Sequence, residues 1–348
     1  GNKKMTRLQL SEAHIIGAVI SFLTSIFIVP AVIYFSEKKG LVDNPGGRKI
    51  HDHPVPRLGG VAVWLSTMLT FLFLVFLSYY PYGSLLSGIL LGSSLMFLLG
   101  LIDDIYCLDA KFKLFIQLSI ATIVYCLGIR IEDVYLPFGL SFHLGFLSWF
   151  VTTAWIVGVS NAVNFIDGID GLAGSVISIS AVTLGLVAAG TSVSGMVSPL
   201  IAFILAGAML AFLTYNFHPA KIFMGDSGAL FSGFLLATLS ITGVMRTESV
   251  AMWVPVLVLA VPIVDITFAS VRRILSGKSP FVADAAHIHH RLLNAGFSQN
   301  KTVLILAVAS VIFGAIGVLC INVSIMKYFV YAMALAVVML ILNFQARK

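Results

Sequence analysis

The sequence predicts a polytopic α-helical membrane protein, and three observations carry that expectation. Of the 348 residues, 59% are hydrophobic and only 10% are charged, against roughly 25% charged in an ordinary soluble domain. About eleven apolar runs approach the roughly 20 residues that a helix needs to cross a bilayer. These runs are too long and too uniformly apolar for the alternating strands of a barrel, the other structure that satisfies its backbone in lipid.

The runs cover approximately 13–35, 58–79, 84–102, 112–130, 145–162, 171–190, 196–215, 228–245, 250–270, 301–322 and 326–343. Polar or turn-forming stretches separate them. The first ends at "EKKG" and the second follows "RLGG". The third ends at "DD", and the fourth follows "AKFK" and stops at Arg130. The fifth runs into "NAVNFIDGIDG", from which the sixth emerges to end at Gly190. The seventh ends at "NFHPAK" and the eighth starts from "MGDSG". The ninth ends at Arg272 and Arg273, the tenth starts at Lys301, and the eleventh ends at "QARK". The first run is too long for a signal-peptide core and lacks a small-residue cleavage site, so it reads as a retained helix; the residues before Met5 look like a tag remnant. No linker, low-complexity tract or internal repeat divides the chain, and 1–348 reads as one membrane domain. Cys107, Cys126 and Cys320 are scattered, with no metal or redox spacing, and read as small packing residues.

Positive charge sets the expected orientation. With the N-terminus outside and the C-terminus inside, fifteen of the 21 Lys and Arg residues fall on cytoplasmic segments, the side that basic residues favour. The inner loops are then approximately 36–57, 103–111, 163–171, 216–228 and 272–300. Four polar clusters, "LIDDIYCLD", "NAVNFIDGIDG", "FMGDSG" and "DAAHIHHRL", lie on loops of this one parity. A transporter would place key acids near the bilayer midplane; this distribution fits a site at one membrane surface. The net charge of +6 suits anionic headgroups or a phosphorylated substrate.

In "NAVNFIDGIDGLAG", residues three apart are about 60° out of register on a helix, so Asn161, Asn164, Asp167 and Asp170 cannot converge from one straight helix. Gly168 and Gly171 allow a turn, which places the asparagines on the last turn of the fifth helix and Asp167 and Asp170 on a tight loop. Asp226, between Gly225 and Gly228, repeats that logic before the eighth helix. Capping explains one or two such residues but not the whole set. A hard, oxygen-ligated cation, best Mg²⁺, accounts for the rest, completing its shell with water and phosphate oxygens. "HIHH" offers no Cys or nearby acid to finish a tetrahedral zinc set.

Asp103 and Asp104 are about 100° apart on a helix end, so only one easily faces a given ligand. One is expected to be catalytic as a base, the other a hydrogen-bonded support. His287, His289, His290 and Arg291 offer donors and a fixed positive fork to diphosphate or sugar oxygens, with a helical stripe aligning His287 with His290 and Arg291. "GRKIHDHPVPRLGG", with Arg48, His51 and Arg57, either cradles a lipid phosphate or anchors the loop to the membrane. Asp265, about two turns inside the ninth helix, has a structural partner such as Arg272 or Arg273, or a functional role.

Taken together, "RKIHDHPVPRLGG", "GLIDD", "NAVNFIDGIDGLAG", "FMGDSG" and "HIHHRL" resemble the bacterial polyprenyl-phosphate N-acetylhexosamine-1-phosphate transferase superfamily, in its order and over nearly the whole chain. The resemblance implies transfer of a sugar 1-phosphate from a UDP-sugar to undecaprenyl phosphate, with release of UMP, on the cytoplasmic face of a bacterial plasma membrane. It implies Mg²⁺, with Mn²⁺ as a substitute, on Asp226 and Asn164. Nucleotide recognition falls near Asp167 and Asp170, with Asn161 beside them, and a base at Asp103 and Asp104. His287, His289, His290 and Arg291 match the segment contacting the sugar-phosphate of the donor. "HIHHRL" is similar to the N-acetylglucosamine-1-phosphate branch that starts teichoic acid, O-antigen and related glycans. The phospho-muramoyl-pentapeptide branch instead carries a triple-His run without this Arg. Membrane lipids are the other expected partner, nucleic acid is not one, and a homodimer is a family-level expectation. The competing class is a lipid-linked-sugar flippase or ion-coupled transporter, which moves its substrate without bond cleavage.

Overall fold

The structure is a computed structural model that describes residues 12–43, 53–77, 83–135, 141–191, 197–245, 253–275 and 287–322. It is a helical bundle. In chain order the helices are α1 (Glu12–Lys39), α2 (Gly59–Phe76), α3 (Ser84–Tyr106), α4 (Ala110–Cys126), α5 (Leu147–Ile166), α6 (Leu172–Ala189), α7 (Val197–Asn216), α8 (Gly225–Ser240), α9 (Trp253–Val258), α10 (Ala260–Leu275), α11 (Ile288–Asn294) and α12 (Gln299–Asn322). Two short antiparallel hairpins interrupt them. β1 (Val42–Asp43) pairs with β2 (Val55–Pro56), and β3 (Asp133–Tyr135) pairs with β4 (Ser141–His143).

Eight of the described helices are long and apolar enough to cross a membrane, and the protein is a multi-pass helical membrane protein. They match eight of the expected runs. The run over 112–130 forms the shorter α4, and the run over 326–343 lies outside the described residues. The run over 250–270 is not one helix but two, α9 and α10, with Leu259 between them. Pro262 explains the break: it has no N–H for the carbonyl four residues earlier. That carbonyl, of Val258, accepts the Ser180 hydroxyl at 3.2 Å instead, as an apolar surround requires.

The centre of the bundle is α8, which runs on into a π-helical turn at Ile241–Met245 and is buried along its length. A helix that is apolar all round has no solvent face to keep, and here α2, α3, α5 and α6 surround it. α1 and α12 lie outside, with long apolar side chains such as Phe27 and Leu304 exposed. Close approach to α8 rests on missing side chains. A Cβ at Gly60 of α2 would collide with the backbone of Gly228, and one at Gly100 of α3 with the carbonyl of Asp226. Small residues at such crossings let backbones meet where lipid offers no hydrophobic drive between helices.

Candidate active site

The site forms where α3 delivers its acid pair to the start of α8. The carboxylate of Asp104 accepts the backbone N–H of Asp226 at 2.9 Å and of Ser227 at 3.0 Å. These are first-turn amides, which lack intrahelical partners and carry the positive end of the helix dipole. Gly225 makes the turn possible, with φ +70°; a Cβ there would lie 2.6 Å from the Arg57 carbonyl and 2.7 Å from Asp104 Oδ2. Asp104 is 6% exposed, and Arg57 Nη2 stands 4.0 Å from its Oδ1. Backbone pairing holds Arg57 there: Phe223 N–H donates to Pro56, and Gly59 and Gly60 donate to Phe223 and Met224.

Asp226 does not cap its own helix. Its Oδ2 accepts Asn164 Nδ2 at 3.0 Å from the last turn of α5, and the Lys113 ammonium of α4 contacts the same oxygen. Lys113 also reaches Asp103 Oδ2 at 2.7 Å, while Asp103 Oδ1 accepts the Leu108 N–H at 2.7 Å. The acid pair therefore diverges, as about 100° of helix rotation requires. Asp104 lines the cavity and Asp103 braces Lys113. Charge counting places Lys113 only among the basic residues of the cytoplasmic side. The missed signal is that Lys113 and Gln117, four residues apart, put two polar groups on one face of an apolar helix.

Asp167 ends α5 and Asp170 sits in the turn before α6, as the glycine spacing predicts. Asp170 Oδ2 pairs with His218 Nδ1 at 2.8 Å and accepts the Ala220 N–H at 3.2 Å. Asn216 ties this turn to the segment before α8, accepting from Gly171 N and donating to the Ile222 carbonyl. His218 is a second residue that sequence reasoning missed; it follows an apolar helix directly and carries no motif.

Burial raises the Asp167 carboxyl, and the charges of Asp226, Asp104 and Asp170 raise it further, to about 7 from an ordinary 3.8. The folded protein thus holds a proton that the unfolded chain has released. Stability from this group is complete below about pH 4 and lost as pH rises through about 7. Asp167→Asn should therefore raise Tm relative to the parent at pH 8 and leave it unchanged at pH 4. Differential scanning fluorimetry in detergent, without divalent ions, measures the difference.

Of the histidine segment, His290 lines the cavity, while His287, His289 and Arg291 do not. His287 occupies the N-cap position of α11, so it does not share a helical stripe with His290 and Arg291. Its ring stacks instead on His289, at 5.8 Å. His289 is 2% exposed, and its ring fills the space that a Cβ at Gly168 would need. Burial, then neighbouring His290, push its pKa down to about 4, so the ring is neutral at pH 7. Asp265 lies within hydrogen-bond distance of His287 and of the Ile288 backbone N–H. Asn161 is not brought to the cavity; its amide pairs with Gln117 of α4 at 2.7 Å. Arg48 and His51 lie outside the described residues.

The cavity has a volume of about 600 Å³, and Asp43, His53, Arg57, Asp104, Asn164, Asp167, Asp170, His218, Asp226, His290 and Gln299 are among its lining residues. That size holds a nucleotide-sized ligand. The connections α1–α2, α5–α6 and α7–α8 contribute to this lining, with the last turns of α3 and α5, the start of α8, and α11 and the start of α12. Among the described residues no three or more acids, histidines or cysteines gather as a metal cluster, and a hard divalent cation such as Mg²⁺ would need only one or two carboxylates from the protein. Asp226, Asp104, Asp167 and Asn164 offer carboxylate and amide oxygens to one space, and the Lys113 ammonium already places a positive charge on Asp226.

Residues 86–244 match the family described as glycosyl transferase family 4. The chain is 37% identical over 303 residues to the Probable undecaprenyl-phosphate N-acetylglucosaminyl 1-phosphate transferase of Bacillus subtilis, covering 86% of this chain and 82% of the relative. It is 34% identical over 340 residues to the decaprenyl-phosphate N-acetylglucosaminephosphotransferase of Mycobacterium tuberculosis, with 88% and 82% covered. It is also 29% identical over 310 residues to the undecaprenyl-phosphate alpha-N-acetylglucosaminyl 1-phosphate transferase of Escherichia coli, with 85% and 82% covered. On this likeness across most of its length, the chain belongs to glycosyl transferase family 4, the polyprenyl-phosphate N-acetylhexosamine-1-phosphate transferases.

Proposed function

We propose that the protein transfers N-acetylglucosamine 1-phosphate from UDP-N-acetylglucosamine to undecaprenyl phosphate, releasing UMP and forming a lipid-linked diphosphate sugar. The reading places the site on the cytoplasmic face of a bacterial plasma membrane, with about eleven spans, the N-terminus outside and the C-terminus inside. The relatives' names support the reaction, and the basic bias of the inner loops supports the orientation. The observation that carries it is Asp226: its carboxylate lines the cavity and meets Asn164 of α5 and Lys113 of α4, while Asp104 of α3 accepts its backbone N–H.

The obstacle to the reaction is repulsion between a lipid phosphate and a nucleotide diphosphate. Asp226 and Asn164 would hold Mg²⁺, with Asp104 and Asp167 facing the same space. Bound there, the ion supplies charge neutralisation on the diphosphate and on the departing UMP. Lys113 holds Asp226 and Asp103 in place by its ammonium. Arg57 and His290 at the cavity wall offer donors to phosphate or sugar oxygens. Asp170, steadied by His218 and Ala220, stands with Asp167 where a nucleotide would be read. A base is weakly required, because a phosphate monoester with a second pKa near 6 carries little proton at pH 7.

The test is UMP release from UDP-N-acetylglucosamine by purified protein. Release should require both undecaprenyl phosphate and Mg²⁺, restored after EDTA by Mg²⁺ or Mn²⁺. UDP-muramoyl-pentapeptide run in parallel should release none. No UMP under any condition, with transbilayer movement of a lipid-linked sugar, would establish the transporter class instead. UMP released without lipid, with a phospho-sugar left on the enzyme, would establish a double displacement through an Asp.

A further inference from the structure

Asp265 lies within α10 and is 3% exposed. A carboxyl in such a place is costly unless partners satisfy it. Both of its oxygens are engaged by one short element. Oδ2 lies 2.9 Å from His287 Nδ1, and Oδ1 accepts the backbone N–H of Ile288 at 2.7 Å. None of these three residues lines the cavity.

What the two contacts hold is α11. It has seven residues, and an isolated helix needs about 12–15 to be even marginal in water. Its N-cap is His287, whose side chain makes no capping bond, so the carboxyl that receives the first helical N–H, that of Ile288, comes from another helix. The held end is linked to the cavity by a row of ring contacts. His287 lies on Phe165 of α5 at 5.6 Å and on His289 at 5.8 Å, and His289 packs against His290 at 4.3 Å. His290 is the member of this row that reaches the cavity wall.

We propose that Asp265 is a positioning residue: its carboxyl docks the start of α11 onto α10 and so sets His290 at the cavity wall. The inference rests on the transferase reading only for its effect on turnover. The docking itself is independent of what the cavity binds.

The test uses the full chain in detergent. In Asp265→Ala, amide exchange across 288–294 should rise by about tenfold or more while α8 keeps its protection. The kcat for UMP release should fall about 10- to 100-fold, the size of effect seen when a support behind a site residue is removed, with KM for undecaprenyl phosphate unchanged. Asp265→Asn, which keeps an oxygen for the Ile288 N–H, should recover part of both. Asp265→Ala combined with His287→Ala should lose no more than the larger single loss, because both act through one contact. If Asp265→Ala does not fold, His287→Ala gives the same readouts from the other side of the contact.

Unchanged exchange over 288–294 overturns the proposal, and so does loosening with kcat intact. Loosening spread evenly through α8 and α10, without recovery in Asp265→Asn, makes Asp265 a general stability residue and also overturns it. If 288–294 loosens selectively but the parent releases no UMP, the docking stands and the transferase reading falls. If the parent releases UMP and exchange is unaltered, only the docking falls.

Discussion

Asp226→Asn should lower UMP release by about 10³-fold or more, the scale seen when a preorganised electrostatic group is removed from a reacting centre. The substitution keeps size and shape, and the backbone N–H of residue 226 still donates to Asp104. What changes is charge. The Asn164 amide loses an anionic acceptor, Lys113 keeps Asp103 as its charged partner among the described residues, and the cavity lining loses a carboxylate. Size-exclusion profile and Tm should stay near the parent's, and raising Mg²⁺ should not restore the rate. Activity within tenfold of the parent would remove Asp226 from the chemistry.

Gly100→Val should reduce both stability and turnover, by a different route. Any Cβ at residue 100 meets the carbonyl of Asp226 and the Cα of Ser227. These are backbone atoms, so no rotamer change relieves the clash. α3 must move away from α8, and Asp104 then leaves the amides it caps. Overpacking of this kind typically costs 1–3 kcal/mol, roughly, and more where backbone must shift. Turnover should fall by about 10²-fold, because misplacing a site by about 1 Å has that scale of effect. Gly158→Ala is the control: nothing lies within 4 Å of a Cβ there, and Gly to Ala within a helix gains roughly 0.5–1 kcal/mol. Equal losses at positions 100 and 158 would refute the packing argument. Thermal melts and UMP release on the same samples decide it.

Much of the site is legible in the chain because its signals are local. Lipid partitioning acts on each apolar run separately, so run length alone marks most helices. The change from helix to glycine turn is equally local, and it puts Asn164 on the last turn of α5 with Asp167 and Asp170 beyond it. That Asp103 and Asp104 must diverge follows from helix rotation. What rotation does not tell is which acid turns inward. The crossing of α3 with α8 decides that, and it selects Asp104 for the helix amides and Asp103 for Lys113.

Partners across helices are where sequence reasoning stopped. Lys113 looks like a positive-inside residue until α4 is packed beside α3 and α5, which brings its ammonium to Asp226 at the start of α8. His218 has no motif around it, yet it holds Asp170. Asn161, only three residues before Asn164, turns to Gln117 instead of the cavity, and Asp265 meets a histidine and a backbone N–H. The single run over 250–270 became two helices, because Ser180 can serve the carbonyl that Pro262 leaves open.

The amino-acid sequence alone thus determined the helical membrane class, the places where helices end in acids and amides, and the side of the bundle on which those ends gather. Each depends on composition or spacing within about one turn. Only the tertiary structure decided which of those side chains share a cavity and which brace one another. Those choices depend on helix crossings and rotations, where the positions of glycines and the need to pair every buried polar group are settled between segments distant in the chain.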